Sequence, residues 1–203
     1  MPRPAKSSYP VYFDTYVNTV AENDLIEALN NQQPVITSFF SALPKDKHEF
    51  AYASGKWTIK EVLQHLIDCE RIFTYRALCF ARKEQQDLLS FEENNYAANS
   101  MANARNWQEL CEEFIALRQS TVLLFKGFTR QQLESSGSAN NKQVSVLALG
   151  FIIAGHVNHH KKIIEERYSP FGLLEYHIKF ICEKPYQYKE PEDYKEMIAD
   201  ALG

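Results

Sequence analysis

Three histidines carry the chemistry that this sequence can support. His156 and His160 are four residues apart, and helical geometry puts such a pair on one face, about 6 Å apart at Cβ, within reach of a single metal ion. Leu149, Ile152, Ile153, Ile163 and Ile164 recur on the same stripe, so the pair is predicted to face the interior. His65 lies on a second apolar stripe with Val62, Leu66, Cys69, Ile72, Phe73 and Leu78. Three neutral imidazoles around a divalent ion leave a coordination position open for water or substrate, which is the arrangement of catalytic sites. A water bound there is acidified, and a thiol is held as thiolate. The bland alternative is that each histidine makes a satisfied hydrogen bond at a partly wet helix face. An HxxxH pair arises readily in a chain with six histidines. His159 points off the stripe and is expected to be a bystander or rim residue. His48 lies in a charged loop and is expected at the solvated surface. Asp68, three residues after His65, is a candidate acceptor for the second nitrogen of that ring.

These residues need helices to position them. Thr58 and Glu61 form a capping box behind Trp57, which starts the helix of His65 and carries it to about Arg82. Ser145 is the predicted N-cap of the helix of His156 and His160, which reaches about Tyr168. Asp24 caps a first helix whose Pro34 should kink or split it before Pro44. Asn106 with Glu109 opens a third helix that ends near Gly127. The crossover from Lys83 to Arg105 is long for a compact domain, and one helical turn is expected within it, between Phe91 and Asn99. A further turn spans Thr129 to Glu134, and the following SSGSANNKQ reads as a surface loop. No period-two strand signal is present. The expectation is an all-α four-helix bundle over residues 24–168, with a proline- and tyrosine-bearing arm over 1–23 and a helical extension over 169–203. His65 meets the His156/His160 pair only if their two helices are neighbours at comparable depth.

The rest of the composition narrows the function classes. Twenty-two basic and 26 acidic residues are well mixed, with no basic block, so a nucleic-acid partner is not expected. No run reaches the length of a membrane span, and the start carries no apolar leader, so a cytoplasmic protein away from membranes is expected. Cys69, Cys79, Cys111 and Cys182 are widely spaced and lack a CxxC pair, which suits reduced, packed thiols. No phosphate loop, serine elbow or HExxH motif is present.

The segment GKWTIKEVLQHLIDCERIFTYRAL, together with SVLALGFIIAGHVNHHKKIIEERY, resembles the DinB-like superfamily, which includes the YfiT-like metal-dependent hydrolases. The resemblance runs from Tyr9 to Tyr168 and includes the acidic and aromatic crossover from Phe91 to Tyr96. It implies a four-helix bundle, often dimeric, that holds a divalent metal through one histidine of the second helix and an HxxxH pair of the fourth. Here those are His65, His156 and His160. It also implies thiol-dependent transferase or isomerase chemistry, with bacillithiol, mycothiol or glutathione as the low-molecular-weight thiol. The sulfoxide synthases of the superfamily carry HxxxHxE, and Lys162 at the last of those positions argues against that branch. The expectation is an enzyme dependent on zinc, nickel or manganese, a transferase or hydrolase acting on a small electrophile and forming a homodimer. Tyr75, Arg76, Tyr96 and Arg118 are candidates for the substrate side, and each could equally be a buried polar or rim residue. The rival expectation is a non-catalytic bundle, with or without metal, that serves as a stress-related interaction module.

Overall fold

The computed structural model describes residues 1–168. The helical extension expected over 169–203, with Cys182, lies outside the described residues. Four long helices form the body: α2 (Leu25–Ala42), α3 (Ile59–Ala81), α5 (Trp107–Lys126) and α7 (Val146–Ile163). Short α1 (Asp14–Val17) precedes them, and short α4 (Glu93–Asn99) and α6 (Arg130–Glu134) sit between them, with a hairpin of β1 (Ser136–Ala139) and β2 (Lys142–Ser145).

The caps start these helices as the sequence predicts. Asp24 accepts from the amide of Glu27 at 3.0 Å. Thr58 and Glu61 close a reciprocal box, and Ser145 accepts from the amide of Ala148 at 3.1 Å. Asn106 accepts from the amides of Gln108 and Glu109. Pro34 does not split α2. Its ring and the carbonyl of Asn30 that it leaves without a donor are both on the exposed face, where water can take the bond, while Leu29, Gln32 and Ile36 hold the opposite face inside.

Helices α2 and α3 each pack against both α5 and α7, so the two sequence neighbours stand across the bundle from each other. Helix α7 is the central one, buried almost all round from Val146 to Val157. It runs antiparallel to α3. At one end the Tyr168 hydroxyl donates to the Trp57 carbonyl at 2.7 Å, and at the other the hairpin that leads into α7 lies on Phe80 near the end of α3. Arg118 of α5 is fully buried and ion-paired to Glu70 of α3 at 2.8 Å. It also donates to Gln32 of α2, which in turn donates to the Ala154 carbonyl and to Asn158 of α7. One polar network therefore ties all four long helices together.

Three local expectations are corrected. The stretch expected as a surface loop is the hairpin, with Gly137, Ala139 and Val144 buried. Asn140 and Asn141 both have positive φ, 52° and 55°, as a two-residue hairpin turn requires. Leu88 of the crossover bridges to Ala139 and adds a third, single-residue rung. A side chain at Gly137 would collide with the Phe80 ring, 2.0 Å from the Cβ position. His48 is only 8% exposed. Its ring stacks on Trp107, with centroids 4.0 Å apart, and Nε2 lies 3.1 Å from the Leu43 carbonyl. The arm is less irregular than expected, because it forms two 3₁₀ turns and α1, with Tyr9, Phe13, Val17 and Val20 buried. Arg3 fastens it by donating to the carbonyls of Val17, Val20 and Glu22.

Candidate metal centre

Helix α3 presents His65 in its second turn, and antiparallel α7 presents His156 and His160 at the matching depth. The three rings come together. Centroids are 4.9 Å apart for His65 and His156, 4.9 Å for His65 and His160, and 4.6 Å for His156 and His160. Nε2 of His65 and Nε2 of His156 are 3.1 Å apart. Nitrogen ligands of a tetrahedral zinc ion, with bonds of about 2.05 Å, stand about 3.3 Å apart, so the pair is close to that spacing.

Burial sets the protonation of these rings. It lowers the pKa of His65 to about 4. Burial, then the nearby His65 and His159, push His160 down to about 3. His156 is lowered well below the ordinary value by burial first and by the other three histidines next. All three are therefore neutral at pH 7, the form that binds metal.

Cys69, one turn after His65, joins the group. Its Sγ is 3.5 Å from Nδ1 and 3.6 Å from Nε2 of His65, which sets the sulfur against the ring rather than on either lone pair. Donor atoms of His65, Cys69 and His156 all lie within 4.8 Å of one another. Burial raises the thiol pKa, so without metal the sulfur stays protonated. Imidazole donors with an adjacent thiol fit a borderline ion such as zinc or nickel. Asp68 does not reach His65. Its carboxylate accepts from Gln64 at 2.8 Å instead, because the i+3 direction carries it toward the half-exposed side of α3.

The histidines lie between two cavities. One, of about 280 Å³, is lined by His156, Phe73 and Arg76, by Tyr12, Phe13 and Tyr16 of the arm, by Glu93 of α4, and by Asn140 and Lys142 of the hairpin. The other, of about 220 Å³, is lined by His160, Trp57, Asn94 and Tyr168. Helix α4 thus overlooks both, through two consecutive residues. Tyr16 packs edge-on against His156 and His159, with 5.2 Å between centroids in each case. It can come that close because α7 has Gly155 there, where a Cβ would stand 2.1 Å from the Tyr16 carbonyl oxygen. Half-buried His159 stays on the rim, 5.2 Å from the His160 ring.

Of the four residues considered for the substrate side, Arg76 lines a cavity. Tyr75, one position earlier on α3, is turned outward and 59% exposed. Tyr96 is 47% exposed and packs on Phe91. Arg118 is held in its ion pair away from both cavities. Sequence reasoning missed Cys69, Tyr16 and Glu93 as neighbours of the centre. The four-residue step from His65 to Cys69 was a signal for the first. Nothing local marks the other two, since each reaches the site by tertiary packing.

A family model for the DinB superfamily matches residues 28–164. The fold is similar to that of YfiT from Bacillus subtilis, described as a probable metal-dependent hydrolase with an unusual four-helix bundle topology. The TM-score is 0.63 and the identity 16%, over 82% of this chain and 91% of that one. It is also similar to the mycothiol-dependent maleylpyruvate isomerase, with a TM-score of 0.58 and 11% identity, over 68% of this chain and 58% of that longer one. At such identities the likeness speaks for the fold. A comparison with curated proteins returns no match.

Proposed function

The chain belongs to the DinB superfamily, and on that footing we propose that it is a divalent-metal-dependent enzyme acting on a small electrophile, with His65, His156 and His160 as the metal-binding residues. The observation that carries this reading is the convergence of three neutral imidazoles, His65 and His156 buried and His160 partly exposed, from two antiparallel helices beside a cavity of small-molecule size. A divalent ion held there would acidify a water or hold a thiol as thiolate, so hydrolysis and thiol-dependent transfer are both within its chemistry. Similarity to the mycothiol-dependent isomerase supports the thiol branch, and similarity to YfiT supports the hydrolytic one.

The surrounding residues have roles consistent with either. Partial burial, and then Glu92, raise the pKa of the Glu93 carboxyl, which suits it to exchange a proton with a ligand in the cavity. Burial, and then Glu93, raise the Tyr16 hydroxyl to about 12, so it stays protonated on a ring packed against His156 and His159. Phe13 and Phe73 exclude water from the wall between them, meeting edge to face at 6.4 Å.

Metal analysis of protein purified without a histidine tag tests the proposal. The wild type should hold about one zinc or nickel per chain, His156→Ala and His160→Ala should lose it, and His159→Ala should keep it. A second reading has its own observation. The 3.1 Å between the two Nε2 atoms is also a hydrogen-bond length, available if one neutral ring donates to the other. Substoichiometric metal in the wild type would favour that metal-free bundle, and full metal in the two alanine variants would overturn the three-histidine site. Assays of an electrophile with and without bacillithiol, mycothiol or glutathione then separate transferase from hydrolase.

A further inference from the structure

We propose that the cavity over His156 contains a carboxylate-binding subsite centred on Arg76, and that its ligand is a small organic acid whose other end lies at the histidines. The subsite extends the metal-centre reading and rests on it for the reactive end of the ligand. Arg76 is only 9% exposed, yet its one hydrogen bond among the described residues runs from Nη2 to the Leu89 carbonyl at 2.8 Å. Among the described residues no carboxylate is within ion-pair reach of it. Arg118, which is fully buried, shows the usual remedy, since Glu70 neutralises it. Every fully buried side-chain nitrogen or oxygen in the described residues has a partner. Nε and Nη1 of Arg76 have none, so they reach open space, and the open space Arg76 lines is this cavity.

A buried guanidinium with a free edge matches the two oxygens of a carboxylate. Lys142 of the hairpin adds a second cation to the same wall, and Asn140 and Ser90 add polar groups. The remaining charged group of the lining, Glu93, makes no ion pair with either cation. Burial first, and the Glu93 charge next, raise the pKa of the Tyr16 hydroxyl and of the Cys69 thiol. The lining therefore carries two cations and one carboxylate. Phe73 sets the length of the ligand. Its centroid is 6.0 Å from Cζ of Arg76 and 6.2 Å from the His156 ring, so cation and imidazole are separated by no more than those two steps together. A small acid spans that distance. Its carboxylate could belong to the electrophile or to a thiol such as glutathione.

Isothermal titration of the full chain, both metal-loaded and chelator-stripped, tests the subsite with succinate, glutathione and inorganic phosphate as probes. Succinate binding, with or without glutathione, assigns the carboxylate to the substrate, and glutathione binding alone assigns it to the thiol. Either should survive metal removal, weaken about tenfold or more in Arg76→Gln, and weaken less in Arg76→Lys and in Lys142→Gln. Metal content should not change in any of these variants, which separates the subsite from the metal centre. A wild type that lacks metal yet binds succinate would retire the metal reading and uphold the subsite. The subsite is overturned if neither acid binds, if phosphate binds more tightly than both, or if a folded Arg76→Gln binds them as the wild type does. Should Arg76→Gln fail to fold, Arg76→Lys and Lys142→Gln decide, and wild-type affinity in both overturns it.

Discussion

His65 and His160 fold in the neutral form, with pKa values near 4 and 3, against an ordinary value of 6.5. A group lowered in this way takes its proton first in the unfolded chain. Its contribution to stability is complete above pH 6.5 and is lost as pH falls toward the folded value. The metal-free protein should lose about 1.4 kcal/mol per such histidine for each pH unit below that point. Urea midpoints at pH 7 and pH 5 measure this, and equal midpoints would contradict burial of neutral rings. His48, lowered by burial against Trp107, adds to the same slope. Spacing made the histidine pair legible, and the apolar stripe of α3 singled out His65. His48 was misjudged because its chain neighbours are charged while the residue that buries it, Trp107, is far along the sequence. Asp68 was misjudged for a different reason: spacing puts it near His65 but does not say which neighbour its carboxylate meets, and Gln64 is nearer.

Helix starts were the most legible elements, because a cap is written in three or four consecutive residues. The Thr58–Glu61 capping box and the Asn106 and Ser145 caps form from such local signals. The hairpin was not legible. Its strands are four residues each, mostly Ser, Gly, Ala and polar side chains, and their pairing is stabilised by Phe80 and Leu88 from elsewhere in the chain. Gly137→Ala should therefore lower stability by about 1–3 kcal/mol, the usual range for forcing extra volume into a packed site. Thermal unfolding checks it, and an unchanged melting temperature would mean that Phe80 yields freely. Gly155→Ala acts on another element. It should lift α1 from α7 and expose Tyr16 to quenchers of tyrosine fluorescence, and it should leave metal content intact.

Across the whole molecule, the network of Arg118, Glu70 and Gln32 crosses the bundle behind the histidines, and Gln32 grips α7 at Ala154 and Asn158, either side of His156. Removing one partner strands a buried charge. Glu70→Leu or Arg118→Met alone should cost about 3–5 kcal/mol, and the two combined should recover much of it. Denaturant unfolding of the three variants measures the coupling, and simple additivity would show that the charges do not act as a pair. The bundle class could be read from periodicity and the family resemblance. The pairing of α3 with α7, rather than with α2, required the tertiary structure. That pairing also divides labour along the chain. The histidines come from the rigid bundle, whereas the walls of the larger cavity come chiefly from the arm, the crossover and the hairpin, three segments outside the long helices. Mutation can remodel the walls while the histidine-bearing helices stay fixed, so selection could retarget such a scaffold to new small molecules without rebuilding the histidine cluster.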